Sequence, residues 1–269
     1  MYGFELAGLP EAGPLLVDVP SDWPTLSLER AHDGRRPATQ HLSADQATIW
    51  LSGDGFAELD RANVRARIWV PPGTTDAAIV HPFLAPVALI MAWWRGRDTF
   101  HGGGIVVDGG VWGVLGDKTA GKSTLLGSFA LAGIDVVSDD VLIIDDDAVL
   151  AGPRSIDLRE DAARRLGAGE PLGHVGARDR WRLQLTPVAA RLPLRGWVIL
   201  SWGKTLSVEP IRGQARLSEL LPHQGMLVGA RDPAAFLRLT ALPQWRLTRP
   251  RDWNALDGVR EHLLEALTE

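Results

Sequence analysis

No cysteine occurs in the chain, so disulfides, thiolate metal sites and a cysteine nucleophile are all excluded. Lysine is nearly missing too. Lys118, Lys122 and Lys204 are the only three, and two of them lie close together in one short stretch. An excess of basic charge is also lacking: the net charge is −5 and the sequence pI is near 5.8. That argues against a nucleic-acid backbone binder, which needs a basic field. The first residues, MYGFELAGLPEAG, have neither a basic segment nor a long apolar one, so a signal peptide is not expected. The most apolar run, PFLAPVALIMAWW at 82–94, falls short of the roughly 20 residues that cross a bilayer. It reads as a buried helix, and the expectation is a cytoplasmic protein with no membrane or nucleic-acid partner.

What is present is an α/β pattern. Residues 1–80 hold short apolar runs separated by Pro, Gly and Asp, and form an expected β-rich N-terminal part. Strands are expected at LLVDV (15–19), TLSLER (25–30), ATIWL (47–51) and RARIWV (65–70). Residues 81–269 form the second expected unit. It begins with a buried helix over 81–97 in which Trp93 and Trp94 belong to the core. Two strands, GIVVD and VWGVL, come next around a turn at Asp108, Gly109 and Gly110. The second runs into GDKTAGKST, and KSTLLGSFALAG then reads as a helix with Gly133 just past its end. IDVVSDDVLIIDDDAVL gives two strand runs broken at Asp139 and Asp140, with a turn at 145–147. SIDLREDAARRLG reads as a helix, and 169–181 as a connecting loop or lid. Strands at GWVILSW and LSVEPI and three helical segments complete the chain. In the last of these, Leu256, Val259, Leu263, Leu264 and Leu267 share one face.

The stretch Gly116, Asp117, Lys118, Thr119, Ala120, Gly121, Lys122, Ser123, Thr124 matches G-x-x-x-x-G-K-[ST]. A chance match in a chain of this length has a probability of roughly 1%. The glycines let backbone N–H groups converge on phosphate oxygens, and the helix behind them adds its positive end. Lys122 would reach the β- and γ-phosphates of ATP, and the Ser123 hydroxyl would ligate Mg²⁺. Asp139 and Asp140 end the next strand, where one carboxylate can hold the metal and the other accept a proton from an attacking hydroxyl. Neighbours on a regular strand face opposite ways, so both serve one site only if the chain bends there. The later run 145–147 reads as a hairpin tip.

The segment 101–144, HGGGIVVDGGVWGVLGDKTAGKSTLLGSFALAGIDVVSDDVLII, resembles the core of the HPr kinase/phosphorylase-like serine kinases. A His-Gly, a strand pair, the phosphate loop, a helix and a strand ending in Asp-Asp occur in that family's order. GPRSIDLR extends the resemblance weakly. The resemblance implies a P-loop core of the HPr kinase/phosphoenolpyruvate carboxykinase type. It also implies that Lys122 and Ser123 bind nucleotide and Mg²⁺, that Asp139 is the general base, and that Asp140 helps hold the metal or the hydroxyl. His101 would stand near the phosphate end. Arg154 and Arg159 are candidates to neutralise charge on the moving phosphoryl group. The bifunctional members have Glu where this chain has Thr124, and their phosphorylase signature is not recognisable at 154–167, which argues against reversal by phosphate. Shorter relatives phosphorylate serine in ribosomal-peptide precursors, including lasso-peptide precursors. The expected acceptor is therefore a peptide or small protein, and the family's habits make a homo-oligomer an expectation. Three alternatives stay open: a kinase of a small-molecule or amino-acid hydroxyl, a nucleotide-binding regulatory protein without catalysis, and an NTPase that uses water. No N-K-x-D stretch supports guanine selection.

Overall fold

A computed structural model describes residues 1–226 and 232–268. The first sheet is built from β1 (Glu5–Ala7), β2 (Thr25–Ala31), β3 (His41–Leu42), β4 (Gln46–Trp50), β5 (Phe56–Asp60) and β6 (Arg65–Trp69), in the order β1-β2-β6-β5-β4-β3. Side chains alternate along these strands, so Leu26, Leu28, Ala47, Ile49, Ala66 and Ile68 turn to one buried face. The expected strand at 15–19 does not form. Residues Pro10–Leu15 make a 3-10 helix instead, because Pro10 and Pro14 favour turns over a ladder. β5, rich in acidic residues on its exposed face, was not expected.

A short turn of helix, α1 (Asp76–Ala78), leads through a kink at His81 and Pro82 into α2 (Leu84–Trp94). The expected helix thus starts three residues later than the sequence suggests, since His81 has extended backbone angles. α2 is buried nearly all round, and Trp94 is 2% exposed. Together, Asp76–Trp94 is long and apolar enough to cross a membrane by length and composition, but 72% of its most apolar window is buried inside the fold. Its place is between the first sheet and the second.

The second sheet contains β7 (Asp98–Val107), β8 (Gly110–Leu115), β9 (Val136–Ser138), β10 (Val141–Asp145), β11 (Ala148–Leu150), β15 (Arg191–Trp202), β16 (Ser207–Pro210) and β17 (Gln244–Arg249). Its order is β11-β10-β7-β8-β15-β17-β16, with β9 beside β7, and β11 also meets the start of β15. β8, β15 and β17 are mutually parallel. β8 is buried on both faces, as its unbroken apolar sequence requires. α3 (Lys122–Leu131) succeeds β8 and lays Leu125, Leu126 and Phe129 into this core. α7 (Leu256–Thr268) packs on α3 through Val259, Leu263 and Leu267. The hairpin turn at Asp146 and Asp147 forms as expected.

The third sheet departs most from expectation. Ser155–Leu158 is a strand, β12, and only Glu160–Leu166 is helical, as α4. The stretch expected as a loop is a hairpin of β13 (Glu170–Val175) and β14 (Arg178–Gln184), paired to β12. Its charged residues hid it: Trp181 and Leu183, which pack on the core, alternate with Arg180 and Arg182, which face the buried Asp157. α5 (Ala215–Leu220) and α6 (Pro233–Ala241) cover the far side of β15.

Candidate active site

The ends of β8, β15 and β17 point the same way, and the segments that leave those ends line one cleft of about 1080 Å³. A cleft at the carboxyl ends of parallel strands is where α/β sheets place ligands. After β8 the chain makes a tight loop over residues 116–121. Gly121 has φ +80 and precedes α3 directly. A side chain there would be strained, and its Cβ would meet Arg249 at 2.7 Å. Among the described residues no side chain caps α3, so the free N–H groups of its first turn open on the cleft. Lys122 is buried and folds back on its own loop: Nζ donates to Gly116 O at 2.7 Å and to Asp117 O at 3.3 Å. Burial lowers its pKa, against the fields of Asp139, Asp140 and Asp117.

The Ser123 hydroxyl donates to Asp139 Oδ1 at 3.2 Å. Asp139 is 2% exposed, and burial, then the charge of Asp140, pushes its carboxyl up to about 8. Asp140 takes a left-handed backbone, φ +69. That is the bend two adjacent carboxylates need to address one region. Asp140 Oδ2 lies 3.3 Å from His81 Nε2, which is itself 3.8 Å from Asp157 Oδ2. Asp157, buried in β12, is gripped by Arg182 through Nε at 2.8 Å and Nη2 at 3.0 Å. Arg182 also donates to Ala77 O at 2.7 Å and His81 O at 2.8 Å, tying the third sheet to the kink before α2. Burial holds His81 below the ordinary histidine pKa, although both aspartates oppose it.

The linkage of Asp139 gives a test in the free protein. Its folded pKa lies above its unfolded value, so the folded state holds the extra proton between about pH 4 and pH 8. Stability from this group is intact below pH 4 and is lost as pH rises through 8. Asp139→Asn cannot ionise and escapes that decline. Its melting temperature at pH 8.5 is expected about 5 °C above that of the unsubstituted protein, with the gap narrowing toward pH 5. Thermal melts across that range check it, and a constant gap would place the effect elsewhere.

Of the residues expected from sequence, His101, Lys118, Thr119, Gly121, Lys122, Ser123, Thr124, Asp140 and Arg159 line the cleft. Gly116, Asp117, Ala120 and Asp139 stand in the loop or directly behind it. The His101 ring is exposed, yet the protein around it and the Lys122 ammonium keep its pKa low. Arg154 is not a lining residue. Its Nε donates to Leu185 O at 3.3 Å, away from the loop. Sequence reasoning missed His81, Asp157, Arg178, Arg180, Arg182, Trp202 and Arg249. Arg180 is 5% exposed and lines the cleft. Its Nη1 has no hydrogen-bond partner among the described residues, only Asp157 Oδ2 at 3.6 Å. The Arg-rich run RDRWR was the one available signal, and an arginine-rich chain masks such a signal.

The donor set fits magnesium, which usually takes few of its ligands from protein. A serine hydroxyl and two carboxylates are hard oxygen ligands, and substrate phosphates and water normally supply the rest. Among the described residues no group of three His, Cys, Asp or Glu forms a dedicated cage.

No protein-family model matches this sequence, and no curated protein matches it. A solved structure of the Hpr(Ser) kinase/phosphatase from Coxiella burnetii is similar over 62% of this chain and 97% of that one, with 13% identity and a TM-score of 0.30. A likeness of that size leaves function to the chain's own residues.

Proposed function

We propose that this chain is an ATP- and Mg²⁺-dependent kinase that moves the γ-phosphoryl group to a serine hydroxyl of a peptide or small protein. The observation that carries this reading is the Ser123–Asp139 hydrogen bond beside the Lys122-capped loop, with the buried Asp139 carboxyl pushed up to about 8. A base with such a pKa is matched to taking a proton at physiological pH. Magnesium, when bound, would screen the phosphate charge and draw on Ser123 and Asp140. The loop N–H groups and Lys122 hold the phosphates in line. The acceptor oxygen attacks the γ-phosphorus, and its proton passes to the Asp139 carboxylate. The bond from that phosphorus to the β–γ bridging oxygen breaks, and ADP leaves. Arg159 and Arg180 are placed in the cleft wall to meet charge on the transferring group. A peptide acceptor is supported by the breadth of the cleft, which reaches from the loop to Ser52 in the first sheet's β4–β5 turn. The hairpin tip and this turn touch, through Ala177 N donating to Ser52 Oγ at 3.1 Å.

The test offers γ-labelled ATP, Mg²⁺ and serine-containing peptides encoded beside the gene, and reads products by mass spectrometry. A gain of about 80 Da on serine is expected. Transfer to a free small acceptor alone would replace the peptide reading. Nucleotide binding without any turnover would replace the kinase reading with a regulatory one.

A further inference from the structure

The phosphate loop uses only one part of the cleft. β15 ends beside it: Ile199 pairs in register with Leu115, and Trp202 stands three residues further on. The Trp202 indole leans on the loop, with Nε1 donating to Thr119 O at 3.3 Å. Two guanidinium groups lie over this indole. Arg249 is 4.3 Å from the ring centre and is pinned by its own Nη2, which donates to Ala120 O at 2.8 Å. Arg251 is 5.1 Å away, exposed, and its guanidinium makes no ion pair or hydrogen bond among the described residues. Arg249 is therefore tethered to the loop, and Arg251 has no such tether. Trp253 and Leu256 add apolar wall on the same side.

Such a surface suits a flat π-system better than a phosphate. The indole N–H is already spent on Thr119 O, so the ring offers a face and not a donor. A cation above an aromatic face stacks well on a nucleobase, whose own face is tolerant of this arrangement. A second observation points to a ligand at the same place. Arg249 is only 5% exposed, lines the cleft, and its Nε has no hydrogen-bond partner among the described residues. This leftover donor belongs to a guanidinium that touches both the loop, through Ala120 O, and the indole. Burial also brings the Arg249 guanidinium down to about 10, a sign of a cation lacking a counter-charge.

We propose that Trp202 and Arg251 form the base subsite of the nucleotide, the base stacking on the indole with Arg251 closing over it. This rests on the loop holding the triphosphate, as the kinase reading requires. A purine offers the larger stacking area and is the base the subsite fits.

The two ideas separate when ATP is compared with inorganic tripolyphosphate, each titrated with Mg²⁺ by calorimetry. The full chain is expected to bind ATP more tightly than tripolyphosphate. Trp202→Ala should lower the preference for ATP over tripolyphosphate by about ten- to a hundredfold, a ratio that cancels any loss both ligands share through the Thr119 O hydrogen bond. Trp202→Phe keeps a face and should retain ATP within a few-fold. Arg251→Ala, at an exposed position, should cost ATP about two- to fivefold and leave tripolyphosphate within about twofold. Equal affinity of the unsubstituted chain for both ligands would overturn the base subsite and leave the phosphate site standing. Loss of both ligands together in Trp202→Ala, with Arg251→Ala unchanged, would also overturn it. Failure of the unsubstituted chain to bind either ligand would remove the phosphate reading and this subsite with it.

Discussion

On the proposed kinase reading, Lys122→Ala is expected to fold but to transfer phosphoryl groups at least about 10²- to 10³-fold more slowly. The magnitude comes from what the ammonium touches. Nζ lies on Gly116 O and Asp117 O, the two carbonyls that open the loop, and faces the negative field of Asp139 and Asp140. A triphosphate entering the loop offers that ammonium a stronger partner than two carbonyls do. Its charge then falls where negative charge builds on the leaving oxygen. Lys118, the nearest replacement, is exposed on the outer turn of the loop. The fold survives because both bonds of Nζ stay within the loop itself, and α3 packs through Leu125, Leu126 and Phe129. Circular dichroism and a melting temperature within a few degrees establish the fold, and the labelled-phosphate assay reads the rate. Turnover equal to that of the unsubstituted chain would remove the loop from the chemistry.

The parts of this site that sequence made legible are those where one residue type has one physical job. Gly121 can be read because its positive φ and its crowding against Arg249 admit no side chain. The strand before the loop and the helix after it can be read because β8 is uniformly apolar and the helix stops before Gly133, whose φ is +84. The break at Asp139 and Asp140 was visible as well, although the left-handed turn of Asp140 that makes both useful was not. What stayed hidden is the far wall of the cleft. Arg180, Arg182 and Asp157 sit in short strands where they alternate with Ile156, Leu158, Trp181 and Leu183, and the buried ion pair of Arg182 with Asp157 joins residues 25 positions apart in sequence. Nothing local marks Arg182 as different from an exposed arginine. His81 was hidden for a related reason. It lies in an apolar stretch that reads as helix, and only the kink turns its ring between two aspartates. Trp202 gave an equally weak signal, because an indole at a strand end is as often core as platform.

Asp139→Asn is expected to bind ATP as the unsubstituted chain does and to lose about 10²- to 10⁴-fold in transfer rate. The substitution keeps the shape and still offers an oxygen to the Ser123 hydroxyl, so the loop and its ligand geometry persist. What it removes is the carboxylate able to take the acceptor's proton while buried next to the loop. Asp140 does not replace it, because its carboxylate is turned toward His81 at 3.3 Å. The pH profile of the unsubstituted chain supplies an independent check. Only the ionised carboxylate is a base, and in the free protein burial and Asp140 hold Asp139 near 8. The kcat/KM value should therefore climb about tenfold per pH unit below that point and level off above it, with bound cation moving the bend to lower pH. In Asp139→Asn the residual rate should lose this slope. A flat profile in the unsubstituted chain, or full activity in the variant, would move the proton to another acceptor. Asp140, with His81 and Asp157 behind it, would be the next group to substitute.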